Sequence, residues 1–449
     1  MNDSRNSLRA IMFNSLPGFR EFYPEECARR NYLFDAFRRV ALRFGFKEYD
    51  APVLEPLELY IEKSGEEIVS QLFNFTDRGD REVALRPELT PSLARLVGAK
   101  ASSLPMPVKW FNIGEHYRYE RPQKGRLRAF YQFNGDILGE SGTAADAELI
   151  SLLVEILRAL GLTEKDFRIR LSDRTLWFLF LEGLGFEETK SLEILSILDK
   201  SEKISAEKTN ALYQETLGAK AKETALKIEK LKTIQDLEEL REFLDSEELN
   251  TTSKEKLDVR LEDWTTLIGY LGGLGANSFV QVDLGIVRGL AYYTGFVFEA
   301  FENEGQFRAL AGGGRYNDLV AKLGGPKLPA AGFAIGDVTL TDCLDRRNLL
   351  PQGTENPKII TILGGETERL EAIKDITILR RAGFSVAYPL KNQGFGKQFK
   401  SAGKSGAKIA LIYGGDELSE GKVKIRNLST GEENLVDRSD LEIKVRGLF

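Results

Sequence analysis

The chain mixes long stretches of helical periodicity with short runs in which apolar and polar residues alternate. From about Glu25 to Phe44, Tyr32, Leu33, Phe34, Phe37, Val40 and Ala41 recur at helical spacing and predict an amphipathic helix. A turn-rich entry, Gly18 to Pro24, precedes it. Ala51 to Leu54 reads as a strand. Pro52 inside it predicts an edge or an interface, since proline brings no ladder N–H. Leu85 to Val97 predicts a strand end, a turn and a helix, with Pro91 in the first helical turn and Thr90 placed to cap it. Residues 144–160 predict a second amphipathic helix stopped at Gly161.

From about 185 to 262 the texture changes. Lys and Glu dominate, prolines vanish and the period is helical, which predicts an inserted helical module. Strand signals return at Ser278, and residues 278–300 read as strand-rich. Residues 311–325 predict a glycine-rich turn followed by a helix, and 330–349 lead into a last long helix. Leu350 to Thr354 has the character of a linker. Beyond it strands alternate with helices and a closing hairpin follows, predicting a compact, partly parallel α/β domain.

Composition narrows the class. A chain of 449 residues, 42% hydrophobic and 29% charged, is an ordinary globular protein. Its formal net charge of −6 means that any nucleic-acid contact must be a local basic patch on an acidic body. Two cysteines, Cys27 and Cys343, and one histidine, His116, leave no metal-ligand pattern, so no structural metal is expected. No apolar run reaches membrane-spanning length, and Met1 to Gly18 lacks the apolar core of a secretory signal. The expectation is a cytoplasmic protein, with the serines and arginines of that leader a weak sign of a transit peptide.

One segment is dense with chemistry. Residues 118–136 read RYERPQKGRLRAFYQFNGD, in which Arg118, Arg121, Arg126, Arg128 and Lys124 surround a Pro-Gln-Lys-Gly turn. This predicts two strands joined by a basic loop. Arginines on paired strands can grip polyphosphate bidentately, and a basic loop can reach a nucleic-acid backbone. Taken alone, the segment fits a solvated hairpin equally well.

The segment resembles motif 2 of class II aminoacyl-tRNA synthetases, most of all the histidyl family, whose run F-R-x-E-R-P-Q-x-G-R-x-R-x-F-x-Q stands here as Tyr117 to Phe133. A second match supports it: IVRGLAYYTGFVFE, Ile286 to Glu299, resembles the family signature V-R-G-L-x-Y-Y-T-G-x-V-F-E. The resemblance implies an α+β catalytic domain, a mainly antiparallel class II sheet flanked by helices, with a helical insertion and a C-terminal α/β domain that resembles the anticodon-binding domain. The implied boundaries are 1–184 and 263–350 for the two catalytic parts, 185–262 for the insertion and 356–449 for the last domain.

It also implies roles. Arg118 and Arg288 would neutralise charge at the ATP α-phosphate, with Arg126 on the phosphates as well. Glu88 and Thr90, from R-P-E-x-T, would hold an α-ammonium group, although locally they also read as a helix cap. Gln132, Asp136, Tyr292 and Tyr293 would line the histidine pocket, and Gln123, Lys124 and Arg126 would touch tRNA. The expected activity is ATP-dependent activation of L-histidine and its transfer to tRNA(His), with Mg²⁺ bridging the phosphates in a homodimer. The chain departs from the pattern at Asp136 (usually Glu), Ala291 and Asn317 (usually Asp), and Thr339 (usually the motif 3 arginine). Ala291, Asn317 and Thr339 keep a second reading open, a weakly catalytic paralogue that senses histidine or tRNA and regulates a partner. If another arginine takes the place of the missing one, Arg126 and Arg315 are the candidates. His116 matches no family position and reads as packing or surface.

Overall fold

The computed structural model describes residues 14–64, 66–123, 125–201, 204–287, 292–304, 309–354 and 356–449, apart from the side chains at 64, 66 and 67. The chain divides after Pro351 into two compact units. In the first, the strands are β1 (Lys47–Glu48), β2 (Leu54–Pro56), β3 (Asn74–Thr76), β4 (Glu82–Leu85), β5 (Val108–Tyr117), β6 (Ala129–Leu138), β7 (Phe167–Asp173), β8 (Val280–Val282), β9 (Phe296–Glu302), β10 (Ala311–Arg315) and β11 (Ala330–Gly336). Eight of them make one sheet in the order β1-β5-β6-β11-β10-β9-β7-β8. It is antiparallel except at its ends, where β1 runs parallel to β5 and β8 to β7.

The pleat of β6 decides what the sheet offers. Phe133 stacks on Phe111 at 5.8 Å and meets Phe333 at 5.6 Å, and Phe333 meets Phe298 at 6.2 Å. This face carries the core, closed by helices Pro24–Arg43 and Thr143–Ala159 through Phe37, Val40, Leu149 and Leu153. Successive side chains of a strand point to opposite faces. Gln132, Asn134 and Asp136 therefore share the other face, paired across to Gly336, Ala334 and Gly332 of β11. A one-residue slip would push a carboxylate into the apolar core, so the register is strongly specified.

Two expectations change. Ala311–Arg315, expected as a turn, is the central strand β10. A Cβ on Gly313 would run into the Gly332 carbonyl and Phe333, and one on Gly314 would lie 2.7 Å from the Phe296 carbonyl oxygen. Here glycine permits close approach of neighbouring strands rather than a turn. The strand expected at Ala51 to Leu54 begins only at Leu54, and β2, β4 and β3 form a separate small sheet on which Leu54 and Phe75 stay exposed, beside exposed Val53. The helix Thr143–Ala159 does stop where Gly161 takes a φ of +91°.

Between β7 and β8 lie the helices Glu188–Ser201, Ala206–Leu217, Ala221–Thr233, Leu237–Ser246 and Thr251–Gly273. The last carries Arg260 and Trp264 onto buried Asp173, which also caps the helix Arg174–Gly183. Ile194, Ile228 and Phe243 of these helices belong to the same buried cluster as Phe133.

The second unit holds β12 (Ile359–Leu363), β13 (Val386–Ala387), β14 (Ile409–Tyr413), β15 (Lys422–Asn427) and β16 (Glu433–Asp437), in the order β13-β12-β14-β15-β16. The first three are parallel and the last two form an antiparallel hairpin. Arg438 clamps it to the helix Glu366–Arg381 through Asp375, at 2.7 and 3.0 Å. Among the described residues no helix is long and apolar enough to cross a membrane.

Candidate active site

The polar face of the sheet opens into two cavities that share Arg118, Gln132, Gly312 and Ala334. Arg118 leaves the end of β5 with its Nε donating to the Pro87 carbonyl at 3.2 Å and its guanidinium over the Phe130 ring at 5.0 Å. These contacts fix the head group where the cavities meet.

The smaller cavity, about 100 Å³, is lined by Glu88, Thr90, Gln132, Asp136, Tyr292 and Tyr293 together with Asn134 and Tyr316. Four separate chain segments meet there. Asp136 is buried, and its Oδ1 accepts from the Tyr316 hydroxyl at 2.5 Å. Burial pushes its pKa up to about 7, although the Tyr316 hydrogen bond pulls the other way. The Tyr292 and Tyr293 rings lie 4.6 Å apart, and Tyr316 stands edge-on to Tyr292. Glu88 pairs with the buried ammonium of Lys63, which also sits 3.9 Å from the centre of the Tyr292 ring.

The larger cavity, about 240 Å³, is walled by Arg126, Phe130, Glu299 and Thr339, over a floor of Gly312, Ala334 and Gly336. Arg126 lies on a tight turn in which Gln123 and Arg126 exchange backbone hydrogen bonds of 3.0 and 2.9 Å, and it pairs with Glu120 at 2.5 Å. Gln123 is exposed on this turn. Lys124 and Arg288, both expected in the site, lie outside the described residues, as does Ala291.

Arg315 does not reach this cavity as a replacement for the missing arginine. It is buried and ion-paired to Asp146, and it donates to the carbonyls of Glu140 and Gly142 at 2.9 Å each. A guanidinium so engaged cannot turn to a phosphate without leaving Asp146 buried and unpaired. Asn317, the other departure, ties loops together: its backbone N–H donates to Thr294 Oγ1 at 3.1 Å and its Oδ1 accepts from the Ala330 N–H at 3.2 Å. His116 is packing. It is fully buried beside Phe130, its Nδ1–H donates to the Gly114 carbonyl at 3.0 Å, and burial with Arg86 and Arg118 nearby holds its pKa well below the usual range.

Lys63, Asn134 and Tyr316 were not anticipated from the sequence. Asn134 was findable, since it alternates with Gln132 and Asp136 on one strand face. Tyr316 lies in a segment already singled out for its glycines. Lys63 carries no local sign, because only the fold brings it to Glu88.

Comparison with known proteins gives this geometry a family. The model of the histidyl-tRNA synthetase family matches residues 18–339, and that of an anticodon binding domain matches residues 359–448. A histidine–tRNA ligase of Opitutus terrae is 55% identical over 439 residues, 97% of this chain and 99% of the relative. The chloroplastic/mitochondrial histidine–tRNA ligase of Arabidopsis thaliana is 38% identical over 436 residues, 97% of this chain and 87% of the relative. Among solved structures, the histidyl-tRNA synthetase of Nostoc sp. PCC 7120 superposes with a TM-score of 0.80 at 26% identity, covering 98% of this chain and 100% of the other.

Proposed function

The chain belongs to the histidyl-tRNA synthetase family and carries that family's ligase activity, and on that premise we propose how its residues divide the work. The smaller cavity takes histidine: Glu88 and Thr90 receive the α-ammonium, and Gln132, Asp136, Tyr292 and Tyr293 surround the side chain. The larger cavity takes ATP, whose base and ribose can lie close to a floor without long side chains while Arg118 and Arg126 meet the phosphates. The observation that carries this reading is Arg118, common to both cavities. It stands where a carboxylate in one would meet an α-phosphorus in the other.

In the first step a histidine carboxylate oxygen attacks the α-phosphorus and pyrophosphate leaves. In the second a ribose hydroxyl of the tRNA terminus attacks the acyl carbon and AMP leaves. Neither step needs an enzyme nucleophile. Positioning and preorganised positive charge lower the barriers. Arg288 is assigned the same duty on the motif resemblance alone. Mg²⁺ typically takes one or two carboxylates besides phosphates and water, and Glu299 on the larger cavity fits that need. When bound, it would screen phosphate charge.

Gln123, Lys124 and Arg126 are assigned to the tRNA acceptor end, and the unit from Gln352 onward to the anticodon. Exposed Val53, Leu54 and Phe75 around the small sheet support a homodimer through that face. The regulatory reading gains no support, since a family match to an anticodon binding domain accompanies the catalytic one.

Pyrophosphate exchange with each amino acid in turn, followed by charging of total tRNA, tests the assignment. Exchange should depend on histidine alone. Removing residues 356–449 should leave exchange largely intact and sharply reduce charging. Equal charging by a folded, truncated enzyme would refute the anticodon assignment.

A further inference from the structure

We propose that Asn134 reads the imidazole ring: its side-chain amide donates to the ring nitrogen that bears no proton, while Asp136 accepts the ring N–H. The proposal rests on the histidine reading of the smaller cavity and adds a specificity residue to it.

Asn134 is only 6% exposed, and its Nδ2 is buried with no hydrogen-bond partner among the described residues. It lines the smaller cavity on β6, two residues from both Gln132 and Asp136 and on the same face. None of its neighbours satisfies it in this structure. Across β11 stands Ala334, which has no side-chain acceptor. Across β5 stands Asn112, whose amide nitrogen donates to the Tyr49 carbonyl at 2.7 Å and to Asp50 Oδ1 at 3.0 Å. The Asn112 Oδ1 is itself unpartnered, so the two facing amides do not pair. A buried donor left unmade is costly and rare in folded proteins. On the wall of the smaller cavity, this unmade donor is open to a ligand.

The chemistry of that ligand follows from the pair. Asp136 is an acceptor once ionised, and Asn134 Nδ2 is a donor, on residues whose backbone positions lie about 7 Å apart along the strand. A neutral imidazole presents the complement: one N–H and one bare nitrogen at different points of a small flat ring. An imidazolium would turn a second N–H toward the amide and an aliphatic side chain would leave both groups unpaired, so both are disfavoured. The arrangement therefore selects histidine with its ring neutral.

The test uses two isosteres, 3-(pyrrol-2-yl)alanine and 3-(pyrrol-3-yl)alanine, in which one or the other ring nitrogen is C–H and the remaining N–H is kept. Pyrophosphate exchange by the wild type should favour histidine over the better isostere by at least about a hundredfold in kcat/KM, because a site built to hydrogen-bond rejects ligands lacking the partner. Asn134→Leu keeps the volume and removes the donor. It should cut kcat/KM for histidine by roughly thirtyfold and leave the isostere unchanged, so that the preference collapses. Without ligand its melting temperature should equal or exceed that of the wild type, while the rise on adding histidine shrinks. Asn134→Ala repeats the comparison in case leucine disturbs folding. Equal losses for histidine and isostere, or an undiminished preference, would overturn the proposal. A wild type without histidine-dependent exchange would overturn the underlying reading as well, which separates the two failures.

Discussion

The two cavities sit side by side on one sheet and are built in opposite ways. The smaller is made of polar side chains that are themselves buried or half-buried: Asn134, the tyrosines, and Asp136 and Glu88, which are held by Tyr316 and Lys63 from distant segments. The larger has a floor of glycine and alanine between walls that include Phe130, Glu299 and Thr339, with an exposed arginine reaching in from a turn. The contrast fits the proposed ligands. A small side chain is recognised by a few fixed hydrogen bonds in a dry pocket, where an unmatched group is penalised. A polyphosphate is held by charge that can arrive from flexible arms, and its base needs a flat surface.

The comparison predicts that damage at the shared point is largest. Arg118→Ala should slow adenylate formation by at least about a hundredfold, since one preorganised charge contact is worth ~3 kcal/mol at the transition state. Single-turnover exchange at saturating ATP and histidine is the measurement. A loss seen only in the KM for ATP would place Arg118 in the larger cavity alone and break the comparison.

Next in size is a change confined to the smaller cavity. With Asp136 titrating at about 7, the carboxylate form that accepts a ring N–H is gained as pH rises through that value. Histidine kcat/KM should therefore climb on an acid limb near pH 7, and Asp136→Asn should flatten the limb and lower the plateau by roughly thirtyfold. The sign for stability is opposite. A carboxyl raised from about 4 in the unfolded chain to about 7 when folded stabilises the fold below pH 4 and loses that contribution as pH rises through 7. Urea midpoints of the ligand-free protein between pH 5 and 8 should fall less steeply in the Asp136→Asn variant.

The smallest expected effect sharpens the contrast through a residue that need not touch the ligand. Lys63 holds Glu88 and packs on Tyr292, so Lys63→Met should raise the KM for histidine about tenfold, leave the KM for ATP alone and change kcat little. Lys63→Arg should recover part of the loss. A uniform fall in kcat with both KM values unchanged would show that the ammonium supports the fold generally instead of placing Glu88.

Much of this was legible in the order of residues. Alternation along Phe130 to Asp136 already separates Phe133 from Gln132, Asn134 and Asp136, because a strand's period of two assigns faces without any partner. The 3.6-residue stripe from Tyr32 to Ala41 likewise foretells a helix and its buried side. The resemblance to the family's motifs grouped Arg118, Gln132, Glu88 and the tyrosine pair as one site. The fold alone decided the rest. Glycines at 312–314 look like a turn locally and become a strand because neighbouring chains press against them. Arg315 looks available and is consumed by Asp146, a residue far away in the sequence. Lys63 reaches Glu88 and Tyr292, and Asp136 loses its ordinary acidity, because contact between remote segments and exclusion of water depend on every element packed around a group, and no local pattern records that sum.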